Sequence, residues 1–217
     1  MTGSALDRAA SILDRIAAAI AWIGKMACWL LLAILAVVLL SILGGVLRVT
    51  HFADWEGEIF LLGSGITLNS VLEMQWYLFG VLLMLTGAYA LHLRRHVRVD
   101  VLSSRFSPRT ALWVEILGDL IFLLPLCLVL LDRSLPLLEL SYRMSERSNE
   151  DGLTHRWVVK AFVPIGFGLL ATFGAVRILR NILTLCGARP PVVPPTASES
   201  AGELPATPAG GGAQDGR

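Results

Sequence analysis

The feature that most constrains this chain is a charge-free run from Met74 to Leu91 that leads into a dense basic cluster. Eighteen residues of α-helix nearly cross the ~30 Å hydrocarbon core of a bilayer. Trp76 and Tyr77 stand at the front edge of the run, where amphipathic rings favour the membrane interface. The residues behind its rear edge are His92, Arg94, Arg95, His96 and Arg98. We therefore predict a transmembrane helix over about 74–93 whose basic end stays in the cytoplasm.

The composition indicates an integral membrane protein. Of the residues, 55% are hydrophobic and only 16% are charged, and the mean hydropathy is +0.67. A soluble domain of this length could not bury so many apolar side chains. The formal net charge is +1, which gives no reason to expect a nucleic-acid partner. The partner that composition does require is the lipid bilayer.

Three further charge-poor runs predict three more spans, over about 26–47, 111–131 and 157–179. Ser107 and Pro108 have the pattern of an N-cap followed by proline at the first helical position. Pro125 is expected to kink the third span. The predicted fold class is all-α integral membrane, with four transmembrane helices in a membrane domain over 26–185, accompanied by amphipathic interfacial helices.

The remaining segments lie outside the four spans. Residues 1–25 repeat apolar side chains at helical spacing, which predicts an amphipathic helix at the cytoplasmic interface. Residues 52–73 hold an acidic patch around Trp55 and then a charge-free run too short to cross, so we predict an interfacial or partner-covered helix there. Residues 186–217 are rich in proline and glycine and are predicted to form a disordered cytoplasmic tail.

The distribution of lysine and arginine predicts the orientation. With four spans, the N-terminus, the turn after the second span and the start of the C-terminal tail share one side and carry eleven of these residues, against six on the other side. The positive-inside rule therefore predicts that both termini lie in the cytoplasm.

Polar residues that could carry chemistry are few and lie near span ends. His92 and His96 share a helical face, but a basic helix end explains them better than a metal or haem site. Glu115 and Asp119 sit shallowly in the third span, either as part of a proton or sodium path or, as we favour, paired with Arg94, Arg95 or Arg98. Asp132 and Arg133 are expected as a local ion pair at the membrane edge. Cys28, Cys127 and Cys186 are far apart, so neither a disulfide framework nor a zinc site is expected.

Several short motifs in order along the chain resemble one family. They are Glu73-x-x-Trp76-Tyr77-Leu78-Phe79, Ala88-Tyr89-Ala90-Leu91, His96-Val97-Arg98-Val99-Asp100-Val101, Ser107-Pro108-Arg109, Glu115, Pro125, Gly152-Leu153, Arg156-Trp157, Lys160 and Pro164. With these motifs the chain resembles the small membrane subunit, DctQ-like, of tripartite ATP-independent periplasmic (TRAP) transporters.

The resemblance implies partners rather than an enzymatic activity. It implies a large permease subunit that carries the substrate and any sodium site, and a periplasmic binding protein that delivers an organic acid. It implies no catalytic residue, cofactor or metal in this chain, and a scaffold role for it in symport. The candidate partner-interface or structural residues are Glu73, Trp76, His96, Arg98, Asp100, Arg109, Glu115, Arg156, Trp157 and Lys160.

Two other classes of function stay open at the level of sequence. A membrane anchor or assembly subunit of a respiratory enzyme complex would also need four spans, and would predict cofactor ligands here or an enzymatic partner. A small independent channel is the third reading, against which the lack of charged residues in the middle of the spans counts. The transported substrate cannot be read from this chain.

Overall fold

The computed structural model describes residues 3–93, 107–148 and 153–188. Six α-helices and two strands are defined within them. In chain order they are α1 (Gly3–Ala27), α2 (Leu30–Leu47), β1 (His51–Ile59), β2 (Gly63–Thr67), α3 (Leu68–His92), α4 (Pro108–Gly118), α5 (Leu124–Arg143) and α6 (Trp157–Leu185). Four helical stretches are long and apolar enough to cross a membrane, namely Leu6–Leu47, Leu68–His92, Arg109–Arg143 and Trp157–Leu185. A helical stretch long and apolar enough to cross a membrane therefore covers each of the four predicted spans.

The first stretch is nearly continuous from α1 to α2 and runs antiparallel to α3. A short tight turn at Cys28 and Trp29 separates the two helices, with the Trp29 amide donating to the Met26 carbonyl at 3.1 Å. Near one end of α3, Gly24 lies directly against Tyr89. Towards the other end, Gln75 Nε2 donates to Ser41 Oγ at 2.7 Å. Because Gly24 has no Cβ, the two helices approach closely there.

Residues 51–67 form an antiparallel β-hairpin, so the prediction of a helix over 52–73 is wrong for most of that segment. The apolar run that suggested a helix is interrupted at Gly63, whose backbone has φ +69° as the hairpin returns. Thr67 then caps α3, since its side chain accepts a hydrogen bond from the Ser70 amide and Ser70 reciprocates. The fold is thus mostly helical rather than all-α.

The third span differs from its predicted limits. Ser107 and Pro108 cap and begin α4 as predicted. A π-helical turn over Asp119–Leu123 lies directly before Pro125, where the missing proline amide breaks the regular α-helical bonding pattern. The helix then continues to Arg143, twelve residues beyond the predicted end at 131. The chain therefore stays helical well past Asp132 and Arg133.

Helices α3 and α6 form the centre of the molecule. Helix α3 packs against α1, α2 and α6, and α6 also packs against α1, α4 and α5. At the crossing of α3 and α6, a Cβ on Gly166 would lie 2.7 Å from Met84 Cβ. The buried core cluster nearby consists of Ile20, Ala88, Leu91 and Phe173. The position of α1 at the membrane surface stays a prediction.

Candidate functional site

One group of charged and hydroxyl side chains gathers where α3 and α6 begin and α5 has just ended. We call it the loop-end cluster, and its members are Glu73, Tyr77, Glu146, Arg156 and Lys160. The first two lie on α3, the third follows α5, and the last two flank the start of α6. Three separate parts of the chain therefore meet through these side chains.

Glu73 ties α3 to the loop that precedes α6. Its carboxylate accepts a hydrogen bond from Ser148 Oγ at 2.5 Å and another from the Leu153 amide at 2.9 Å. Its Oε1 also lies 3.8 Å from Arg156 Nη2. Arg156 in turn donates from Nε to the Tyr77 hydroxyl at 2.8 Å. That hydrogen bond raises the pKa of Arg156 above its ordinary value, so the guanidinium stays charged.

Glu146 is the centre of the second half of the loop-end cluster. It accepts hydrogen bonds from Lys160 Nζ and, at 2.6 Å, from Ser141 Oγ, and Arg156 lies 4.0 Å away. The hydrogen bond from Lys160, then that from Ser141, holds the pKa of the Glu146 carboxyl below its usual value. The Glu146 carbonyl also accepts from the Arg156 amide at 3.1 Å. Glu146 therefore joins α5 to α6 by both side chain and backbone.

The β-hairpin packs against residues 154–157, the segment that leads into α6 beside the loop-end cluster. The Thr154 amide donates to the Leu61 carbonyl in the hairpin turn at 3.0 Å. The ring of Phe60 packs on the ring of His155, with centroids 4.7 Å apart, and edge-on to Trp157 at 6.4 Å. The hairpin turn and the segment before α6 therefore form one continuous surface.

A second group of polar side chains links α1, α4 and α6 at the opposite end of α6. We call it the tail-end cluster, and its members are Asp14, Glu115, Asp119, Arg177, Arg180 and Asn181. Arg180 donates from Nε to Asp14 Oδ1 at 2.8 Å. Arg177 donates from Nε to Asp119 Oδ2 at 2.6 Å and forms a second bond from Nη2.

The tail-end cluster supplies partners for Glu115 and Asp119, the two acidic residues in the first half of the third stretch. Asp119, which we expected to pair with Arg94, Arg95 or Arg98, is bound by Arg177 of α6 in a two-pronged ion pair. Glu115 accepts a hydrogen bond from Asn181 Nδ2 at 3.2 Å. The three arginines after α3 lie outside the described residues.

The other predicted site residues lie outside the two clusters or outside the described residues. Trp76 is 73% exposed and stays outside the loop-end cluster. Trp157 borders that cluster and packs edge-on to Tyr142, with ring centroids 5.2 Å apart. Arg109 is exposed in the first turn of α4. His96, Arg98 and Asp100 lie outside the described residues.

Several members of the two clusters, and Ser148 that binds Glu73, did not stand out in the sequence. Glu146 and Ser148 lie in a mixed-charge loop, and Asp14 reads as one more polar residue on an amphipathic helix. Their roles depend on contacts between distant parts of the chain. Asp14, for example, binds Arg180, which lies 166 residues later in the sequence. The sequence signal for such pairs is weak. It consists of an acidic residue near the end of one span and a basic residue near the end of another span, both on the same side of the membrane.

The two clusters connect helices of the bundle, and the described side chains form no metal-binding group. Within 3–93, 107–148 and 153–188, no group of three or more His, Cys, Asp or Glu residues could hold a metal ion. The charged residues of the two clusters form ion pairs with one another, except that Glu115 is bound by the amide of Asn181, so these side chains act as clamps between helices.

Comparison with known proteins gives one match. The family model for tripartite ATP-independent periplasmic transporters, DctQ component, matches residues 60–184, which is more than half of the chain. The match begins in the turn of the β-hairpin and ends within α6, so it includes both clusters except Asp14. No curated protein and no solved structure matches the chain.

Proposed function

Because the chain belongs to the DctQ component family of tripartite ATP-independent periplasmic transporters, we propose that it is a scaffold that holds the large permease subunit in place. The large subunit would move the substrate, and a periplasmic binding protein would deliver it. The family makes the chain a multi-pass membrane component of a transporter rather than an enzyme. The scaffold role and the contributions of the two partners are the proposal.

The observation that carries the proposal is the placement of charge along α6. Lys160 lies in the loop-end cluster and Arg177 in the tail-end cluster, and the sixteen residues between them are uncharged. That distance is about 24 Å of helix. Helix α3 is likewise uncharged over 74–91. A chain that carries charged solutes by itself needs polar groups inside its own bundle at membrane depth, and the two central helices have no charged residue there, whereas a scaffold needs tight packing.

We further propose that the hairpin and the loop-end cluster face the periplasm, with both termini in the cytoplasm of the bacterial inner membrane. The positive-inside count supports this orientation. Exposed Asp54 and Glu56 on β1 would then form an acidic rim for the binding protein. The contact of Phe60 with His155 joins this rim to the start of α6.

The substrate and the driving ion are also proposals. Family membership supports uptake of an organic acid coupled to sodium entry, with both sites in the large subunit. Four-carbon dicarboxylates, keto acids, sugar acids and sialic acids remain candidate substrates. No cofactor is proposed for this chain.

Reconstitution tests the scaffold role. Proteoliposomes holding both permease subunits, with binding protein and labelled organic acid outside and an inward sodium gradient, should accumulate label. Vesicles that lack this chain should not, while ligand affinity of the binding protein is unchanged. Full uptake by the large subunit alone would refute the scaffold role, and uptake by this chain alone would show that it is a carrier.

A further inference from the structure

The residues Asp132 and Arg133 form an exposed charged pair inside the third membrane stretch, ten residues or more before it ends at Arg143. Asp132 is 76% exposed and Arg133 is 82% exposed, with 3.7 Å between Asp132 Oδ2 and Arg133 Nε. Because the helix continues to Arg143, the pair does not lie at the end of the span where the sequence suggested it.

Two contacts between the third stretch and α6 fix the depth of the pair. On one side, Leu123 lies against Gly174. On the other, Tyr142 packs on Trp157. The two helices are antiparallel, and the charged pair is midway between these contacts. It is therefore level with Ile165 and Gly166 of α6.

That level is close to the middle of the uncharged part of both central helices. Gly166 is about 4 Å along the helix from the midpoint between Lys160 and Arg177. It is also in contact with Met84, near the centre of the uncharged run 74–91 of α3. The pair thus projects outward at a depth where the neighbouring helices are apolar.

The helix face that carries the pair points away from this chain's own core. Cys127, Ser134 and Ser141 are buried at seven-residue intervals, which identifies the side of α5 that faces the bundle. The pair lies off this stripe. Pro136 adds a further polar group to the same face, since it has no amide to donate to the Asp132 carbonyl four residues earlier.

Lipid tails are a poor cover for this face. Charged side chains at membrane depth face a protein interior or water, because hydrocarbon cannot solvate them, and a backbone carbonyl there also needs a donor. Among the described residues these two charges face each other at 3.7 Å, which is longer than a hydrogen bond, so most of their hydrogen-bonding capacity is unused there.

We propose that the face of α5 around Asp132 and Arg133 is the docking surface for a transmembrane helix of the large permease subunit. The inference rests on the proposed function, which supplies the partner. The docked helix should be apolar and carry a hydrogen-bonding or charged side chain level with the pair. Exposed Leu128, Val129 and Leu137 lie about one helical turn to either side of the pair, so this apolar rim would exclude lipid and water from the polar contact.

The test is co-purification of the two permease subunits from membranes in mild detergent. In the variant D132L/R133L, the ratio of large subunit to tagged small subunit should fall at least about tenfold, because the complementary polar group of the partner is left unpaired. The matched control is E139L/R143L, which removes another exposed ion pair from the same helix beyond the proposed contact. It should co-purify as the unchanged chain does.

Two readouts keep the outcomes separate. The thermal midpoint of the purified small subunit should not fall in D132L/R133L, so a variant that loses the partner without losing stability supports the proposal. A photo-reactive residue at position 133 should cross-link to the large subunit. Cross-linking to a second copy of this chain, or unchanged co-purification of D132L/R133L, would overturn the docking proposal. Failure of the unchanged chain to co-purify with any large subunit would instead overturn the proposed function.

Discussion

At the scale of single residues, Glu146 is the position on which the loop-end cluster most depends. It is the carboxylate that Lys160, Arg156 and Ser141 share. We predict that Glu146→Gln lowers the free energy of unfolding by about 1–2 kcal/mol, because partly buried Lys160 loses its counter-charge and Arg156 keeps only that of Glu73. Reversible unfolding in mixed micelles would measure this.

The matched control for Glu146→Gln is Glu139→Gln. Glu139 also pairs with a cation, Arg143, at 2.5 Å, but both side chains are well exposed. An exposed pair contributes little, so Glu139→Gln should change stability by less than about 0.5 kcal/mol. Equal effects of the two substitutions would mean that the loop-end cluster has no special stabilising role.

The same carboxylate predicts a pH dependence. In the folded chain the pKa of Glu146 is lowered, chiefly by the hydrogen bond from Lys160. Its stabilising contribution is therefore complete above the ordinary glutamate pKa of about 4.3 and is lost as the pH falls through the folded pKa. The stability difference between the unchanged chain and Glu146→Gln should be constant near neutral pH and shrink below about pH 4. A difference that grows in acid would contradict this assignment.

At the scale of the elements, the contact between α3 and α6 depends on a missing side chain. A Cβ at position 166 would come within 2.7 Å of Met84 Cβ and 2.8 Å of its carbonyl oxygen. We predict that Gly166→Ala forces the helices apart and costs about 1–3 kcal/mol, measured as a loss of stability in the same micelle assay.

Gly168 provides the control on the same helix. Nothing lies within 4 Å of a Cβ built at that position. Gly168→Ala should be neutral or stabilise the chain by up to about 1 kcal/mol, since alanine favours the helix. If both alanine variants behave alike, close packing at Gly166 is not what limits stability.

The hairpin shows how an element can escape a sequence prediction. The run from Ile59 to Leu72 lacks charge, and hydropathy alone treats it as one apolar segment. Two local signals divide it, namely Gly63 with its positive φ and the reciprocal cap of Thr67 with Ser70. Backbone conformation and capping, rather than hydrophobicity, therefore decide where α3 begins.

At the scale of the whole molecule, the orientation in the membrane is the property to test. We predict that a single cysteine placed at Asp54 in an otherwise cysteine-free chain is labelled by a membrane-impermeant maleimide in intact bacterial spheroplasts. A single cysteine at Arg15 should be labelled only after the membrane is broken. Both positions are exposed in the chain itself, so a difference in labelling reports the side of the membrane. The reverse pattern would invert the proposed topology.

The sequence by itself determined that this chain has four helices long and apolar enough to cross a membrane, how they are ordered and which family it resembles. Uncharged runs, their lengths and short motifs can be read along the sequence. Each membrane helix must satisfy its own backbone hydrogen bonds in lipid, so these signals act separately for each helix. The tertiary structure decided which charges meet, as Asp14 does with Arg180 and Asp119 with Arg177. It also placed Asp132 and Arg133 inside a helix that continues to Arg143, level with Gly166 of α6. Such pairings depend on the register between helices, which is fixed only when their surfaces pack together.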